Sequence, residues 1–269
     1  MKIISIINQK GGVGKTTTAI NLAFNIADQG KNVWLIDFDD SFNATKSLKI
    51  PIDSNKKTSF DLCKGDFTPN DLNSVNWEQS PTSFYFIPSN RYLASLKAYE
   101  IGCGSELRDG LDKLVKSWES IGNPPPDYIF IDSGPSLDVL NFNVMVASSD
   151  IYIIMQCQYL SLEGMASLLD TIKRMYKTTP YRPQVTGIIA TMNDTRLNLA
   201  RSVLEKIENT EFENILFNTT IRNNISLAEA PQYGLPINLY RPKSNGTIDY
   251  RNLAKEILMK EVKNDKNSI

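Results

Sequence analysis

Lys10-Gly-Gly-Val-Gly-Lys-Thr-Thr17 decides how this 269-residue chain is read. It follows the apolar run Ile3-Ile4-Ser5-Ile6-Ile7 and leads into Thr18-Ala-Ile-Asn-Leu-Ala-Phe-Asn-Ile-Ala27. Strand, glycine turn and helix in that order are the layout of a phosphate-binding loop. Gly11, Gly12 and Gly14, with Val13 between them, let backbone N–H groups crowd a polyphosphate where a Cβ would clash. Lys15 is placed to reach the β- and γ-phosphates, the Thr16 hydroxyl to face Mg²⁺, and Thr17 to complete the nucleotide-binding stretch. The general consensus asks for a further glycine where Gln9 stands, and an additional lysine, Lys10, opens the loop. A chance glycine-rich turn is the competing reading; the flanking strand and helix argue against it.

Composition narrows the chemistry. The chain has no histidine, which excludes an imidazole base and a histidine metal ligand. Carboxylates, lysine and bound Mg²⁺ remain, and phosphoryl transfer can run on those. No apolar run approaches the ~20 residues that span a bilayer. The N-terminus lacks the layout of a secretory signal. Cys63, Cys103 and Cys157 are odd in number and lack metal-like spacing, so a reducing cytoplasm is expected. Residues 1–169 carry 14 basic and 19 acidic side chains, whereas residues 170–269 carry 15 and 11. A basic C-terminal face suits a phosphate backbone, although a solvated charged surface explains the same counts.

Apolar runs alternate with amphipathic stretches. That pattern predicts an α/β fold: a doubly wound, mostly parallel sheet flanked by helices, forming one domain over 1–269. Expected strands are 2–7, 32–37, 84–88, 128–132, 151–155, 185–191 and 214–218. Expected helices are 15–29, 105–121, 137–148, 161–176, 197–209 and 247–262. Gly30 suits the end of the first helix, and residues 124–126, three prolines, feed the strand at 128. Residues 51–82 read as a polar surface excursion and 264–269 as a frayed tail.

Two strands end in acids, at Val33-Trp-Leu-Ile-Asp37-Phe-Asp39 and Tyr128-Ile-Phe-Ile-Asp132. In such sheets ligands sit beyond the carboxyl ends of the strands, so Asp37, Asp39 and Asp132 are expected around the metal–phosphate site. Asp132 would hold Mg²⁺ through a water, Asp37 would order the metal's water shell, and Asp39 would orient the attacking water. The plainer alternative is that strand-end aspartates cap turns.

On these motifs the chain resembles the ParA/Soj family of partitioning ATPases, the deviant Walker A group that includes MinD. The likeness extends to Asp132-Ser-Gly-Pro-Ser-Leu137, the stretch 156–164, Leu227-Ala-Glu-Ala-Pro-Gln-Tyr-Gly-Leu-Pro236 and Tyr240-Arg-Pro-Lys-Ser-Asn-Gly246. The resemblance implies ATP and Mg²⁺ as ligands and a homodimer that sandwiches two nucleotides, with Lys10 of each subunit reaching the other's phosphates. It implies nonspecific DNA binding by the ATP dimer, stimulation by a ParB-type partner bound to cargo, and weak hydrolysis without that partner. It places adenine near Met192, Asn193 and Pro231. The chain starts on its first strand, so the helix-turn-helix domain of larger plasmid relatives is not expected.

Two departures stand out. The family loop Asp-Pro-Gln-Gly-Asn-Ala-Thr reads Asp39-Asp-Ser-Phe-Asn-Ala-Thr45 here. Asp40 adds negative charge beside the phosphates, and Phe42 lacks glycine's backbone freedom. The family's Ile-Pro-Arg-Asn-Val-Arg reads Ile221-Arg-Asn-Asn-Ile-Ser226, which leaves Arg196, Arg201 and Arg222 as the DNA-contact candidates. Alternatives are a ParA-like positioner of protein cargo, a slow-turnover regulatory scaffold, and a MinD-like membrane switch. The last needs a terminal amphipathic helix with bulky anchors, and residues 253–263 offer aliphatics without an aromatic anchor, so no membrane partner is expected. An iron–sulfur ATPase is excluded by the lack of cysteines just after Asp132.

Overall fold

The computed structural model describes residues 1–51, 56–98, 105–136, 138–158, 161–194, 196–210 and 212–267. Its strands are β1 (Lys2–Ile7), β2 (Val33–Phe38), β3 (Asn73–Trp77), β4 (Ser80–Ile87), β5 (Tyr128–Ser133), β6 (Asp150–Gln156) and β7 (Gln184–Thr191). The α-helices are α1 (Lys15–Ala27), α2 (Asn43–Ser47), α3 (Ser59–Cys63), α4 (Glu106–Ser120), α5 (Val139–Ala147), α6 (Ser161–Thr178), α7 (Asn198–Glu208), α8 (Ile225–Glu229), α9 (Ile237–Tyr240) and α10 (Asn245–Asn267). The strands join in one sheet, ordered β3-β4-β2-β5-β1-β6-β7. All pair in parallel except β3, which runs antiparallel to β4.

The near-continuous apolar runs of β1, β2 and β5 follow from burial on both faces. Alternate residues divide between two cores. Val33, Leu35 and Phe130 face α1 and α10, while Trp34, Ile36, Ile129 and Ile131 face the side covered by α4, α5 and α6. The parity puts Asp37 and Asp132 on the α1 side. They are register partners at the adjacent ends of β2 and β5, so the acids meet because the strands pair there.

Helix–helix contact is closest at Gly110 of α4, where an added Cβ would stand 2.1 Å from the Leu62 carbonyl oxygen of α3. A Gly→Ala change inside an exposed helix gains about 1 kcal/mol; here the backbone of α3 must move, which reverses the sign. Gly110→Ala is expected to destabilise the chain by about 3 kcal/mol, read as a lowered urea midpoint. An unchanged midpoint contradicts the packing described.

Three expectations need correction. Residues 73–77 form β3 inside the stretch read as a surface excursion. Of its five residues only Val75 is buried, so an edge strand carries little of the apolar signal used to find it. Residues 214–218 are not a strand: a 3₁₀ turn spans Glu213–Ile215, and Leu216 then makes a single bridge to Ile188. The last helix runs to Asn267, past the expected end at 262 and through most of the expected tail; 268 and 269 lie outside the described residues, as does Cys103. Near that helix's end Lys2 pairs with Glu261 at 3.0 Å. Among the described residues no helix is long and apolar enough to cross a membrane.

Candidate functional site

The loop joining β1 to α1 turns on Gly12 (φ +73°) and Gly14 (φ +94°). An added Cβ at either would meet nothing within 4 Å, so it is the left-handed backbone that calls for glycine there. Val13 is buried in the core beneath, and the Thr191 hydroxyl donates to its carbonyl at 2.8 Å. No side chain caps α1; its first-turn N–H groups are left for an anion. They open onto a cavity of about 400 Å³, which is also lined by Asp39, Ser41, Ser133 and Met192. Strand ends β1, β2, β5 and β7 thus converge on one space.

Lys15 is 7% exposed, and its ammonium donates to the Lys10 carbonyl at 3.2 Å. Burial lowers its pKa, while the charges of Asp132 and Asp39 act against that. Asp37 is engaged on both oxygens: Oδ2 accepts from the Thr45 amide at 2.8 Å and hydroxyl at 2.7 Å, and Oδ1 from the Asp39 amide at 3.2 Å. Burial pushes its pKa up to about 7 against the Thr45 bonds.

Asp132 differs. It is fully buried, and neither carboxylate oxygen has a hydrogen-bond partner. Burial first, then the Asp37 charge, raise its pKa well above the carboxylate range; the Thr16 hydroxyl and Lys15 oppose them. Such orphaned oxygens are costly unless something donates to them. The waters of a hydrated cation do so, and the set fits Mg²⁺, which keeps several waters and takes one or two carboxylates together with substrate phosphates. Among the described residues no group of three or more His, Cys, Asp or Glu could hold a metal unaided, which leaves the remaining positions to phosphate oxygens.

Asp39 is 4% exposed. Its Oδ1 closes a turn by accepting from the Ser41 amide at 3.0 Å, while the side chain also lines the cavity. Capping and cavity-facing thus coexist in one residue. Burial raises its pKa. Asp40 does not leave its charge beside the phosphates, contrary to expectation: Lys97 meets it at 2.6 Å and Asp138 at 3.0 Å. Phe42, where the family loop carries glycine, adopts the left-handed conformation at φ +44°, with the Lys46 ammonium 3.9 Å above its ring.

Lys10 points to the segment after β6, with its ammonium 3.2 Å from Gln156 Oε1 and 3.1 Å from Gln158 Oε1. Gln156 donates in turn to the Met192 thioether at 2.8 Å. Met192 sits at φ +50° on the boundary between the first cavity and a second, more apolar one of about 280 Å³. Ile221, Leu227, Ala228 and Tyr250 wall that second space, which suits a flat heterocycle. Asn193 is buried and bonded to the Thr220 hydroxyl at 2.9 Å. Pro231 is not among the lining residues of either cavity; the wall expected from it comes from α8, through Leu227 and Ala228.

Of the three arginines, Arg196 and Arg222 line one cavity of about 330 Å³, and Arg201 is not among its lining residues. Arg196 is bound by Asp194 at 2.7 Å and Arg222 by Asp249 at 2.6 Å, while Arg201 is exposed on α7. Sequence reasoning missed Ser89, Lys97, Gln156 and Gln158 as supports of the site. Gln156 and Gln158 carried a signal as the start of the 156–164 stretch, as Thr45 did as the end of the Asp39–Thr45 loop motif.

A family profile described as an AAA domain matches residues 1–186. The chain is 36% identical over 261 residues to the sporulation initiation inhibitor protein Soj of Bacillus subtilis, covering 95% of this chain and 98% of that protein. It is 34% identical over 262 residues to the chromosome partitioning protein ParA of Caulobacter vibrioides, covering 97% and 95%. Among solved structures it is similar to cobyrinic acid a,c-diamide synthase from Mycobacterium smegmatis with bound ADP and magnesium. That match has a TM-score of 0.75 and 26% identity, over 96% of this chain and 94% of the other.

Proposed function

The chain belongs to the ParA/Soj family of partitioning ATPases, and from that premise we propose that it is an ATP-driven switch that dimerises on nucleotide, holds nonspecific DNA as the dimer, and lets go on hydrolysis prompted by a ParB-type partner. The observation that carries this reading is a buried Lys15 that feels the charge of a buried Asp132, whose two oxygens lack partners, under a glycine loop. It supports a triphosphate with Mg²⁺ at the strand ends and a base in the apolar cavity beside Met192.

In this reading the loop amides and Lys15 hold the β- and γ-phosphates, and Thr16 and Asp132 hold the metal, with Asp37 keeping Asp39 and Thr45 in place. The metal supplies charge neutralisation at the phosphate oxygens. Asp39 orients a water for attack on the γ-phosphate. Lys10, resting on two neutral amides of its own chain, exchanges those weak partners for the phosphates of a second subunit, so the dimer tracks the nucleotide. DNA contacts would come from Arg201 and from Arg196 and Arg222, whose carboxylate partners already offset their charge. Such binding is electrostatic and falls with rising salt.

Sedimentation and DNA retention with ATP and Mg²⁺ at low salt test the proposal. The wild-type chain is expected to double its mass and retain duplex DNA, and Lys10→Ala to bind ATP yet stay monomeric. A wild-type chain that binds ATP without changing mass or retaining DNA overturns the switch and leaves a nucleotide-binding scaffold.

A further inference from the structure

Asp40 occupies a position where the family loop carries proline, and next to Asp39 it would place a second carboxylate at the cavity. The structure sets a cation against it. Lys97, in the 3₁₀ segment Arg91–Ala98, reaches Asp40 at 2.6 Å and Asp138 at 3.0 Å. Those acids belong to the two segments that flank the cavity, one leaving β2 and the other leaving β5. Asp138 also caps α5 by accepting from the Leu140 amide at 3.0 Å, and it takes the Ser136 hydroxyl at 2.7 Å. The second segment is therefore anchored, and Lys97 ties the first to it.

Asp39 lies between the two. An added Cβ on Gly134 would stand 3.1 Å from Asp39 Oδ1, so the post-β5 chain packs directly on the carboxylate. Ser89, just ahead of the segment that carries Lys97, donates to the Asp39 carbonyl at 2.9 Å, and its amide donates to the Thr45 hydroxyl at 2.9 Å. The loop also contains Phe42 at φ +44°, a conformation that persists only where the surroundings impose it.

We propose that Lys97 is a positioning residue for hydrolysis, bridging Asp40 and Asp138 so that the loop carrying Asp39 stays fixed against the segment leaving β5. The proposal rests on the ATPase reading of the site. The bridge is part-exposed, with side-chain exposures of 35% for Lys97, 27% for Asp40 and 24% for Asp138. It is therefore open to screening by salt. Burial alone would lower the Lys97 pKa, yet the two carboxylates outweigh it and hold it above the ordinary value.

The test uses the full chain without DNA, as wild type, Lys97→Met, Lys97→Arg and Asp40→Asn. Steady-state ATP hydrolysis is measured alongside amide hydrogen exchange of the nucleotide-free protein. Lys97→Met is expected to lower kcat about tenfold, the scale of a slightly misplaced catalytic group, with KM within about twofold of wild type. Arginine at 97 restores kcat, and Asp40→Asn shifts it in the same direction as Lys97→Met. Added salt lowers wild-type kcat towards the Met variant and leaves that variant unmoved. Exchange of the Ser41 and Phe42 amides, which bond to Asp39, quickens in Lys97→Met and recovers in Lys97→Arg. Unchanged exchange and kcat in Lys97→Met overturn the positioning role, as does a fall in kcat that arginine does not restore. A wild-type chain that takes up no ATP in calorimetry overturns the ATPase reading instead, and the exchange result still decides whether Lys97 holds the loop.

Discussion

Lys15→Ala is expected to cut ATP hydrolysis about a thousandfold, the scale on which removing one preorganised charge donor acts in a water-poor site. The Lys15 side chain is almost wholly buried, and its ammonium donates to a backbone carbonyl. Burial without a compact counter-anion is costly for a lysine, and the Asp132 and Asp39 charges only partly offset it. A polyphosphate supplies the missing anion, so a large part of the nucleotide's attraction should pass through this one group. Calorimetry should accordingly find the ATP heat lost in Lys15→Ala, and phosphate release should fall to near background. Hydrolysis within tenfold of wild type would remove Lys15 from the phosphate site.

Asp132→Asn should produce effects of opposite sign on activity and on stability. Turnover in Mg²⁺ is expected to fall about a hundredfold, as when a partner of a bound metal is lost. The metal-free protein should melt higher, because an amide has no charge to strand in a fully buried position. The pH dependence follows from the same pair. The folded-state pKa values of Asp37 and Asp132 lie above their unfolded values. Between about pH 4 and about pH 7 the folded chain therefore binds more protons than the unfolded one, and stability declines as pH rises through that window. Asp138, whose pKa is lowered, acts below that window with the opposite sign. Thermal melts of wild type without metal should thus rise on acidification from about pH 7 to about pH 5, with a shallower slope in Asp132→Asn. A wild-type profile that is flat in metal-free buffer contradicts the buried-acid account.

The phosphate loop was legible because local backbone chemistry and ligand chemistry coincide there: Gly12 and Gly14 adopt positive φ in the same eight residues that present Lys15 and Thr16. Asp37 and Asp132 were legible because parallel strands of near-equal reach end at one level, which register then made neighbours. Met192, expected from its place after β7, borders both cavities, and the second is lined by Leu227 and Ala228 rather than Pro231. What stayed hidden depends on contacts distant in sequence. Nothing near Lys97 announces that it will span Asp40 and Asp138, and Gln156 and Gln158 meet Lys10 only because β6 lies beside β1. β3 was missed because an edge strand with one buried side chain looks polar.

The last helix carries Asp249, bonded to Arg222 beside the second cavity, at one end, and Glu261, paired with Lys2 at the start of β1, near the other. At 1.5 Å per residue its 23 residues extend about 35 Å. Lys2, where β1 begins, and the C-terminal turns of this helix therefore both lie away from the cavities at the carboxyl ends of the strands. A fluorescent reporter joined beside either one is expected to leave ATP uptake at the level of the untagged chain.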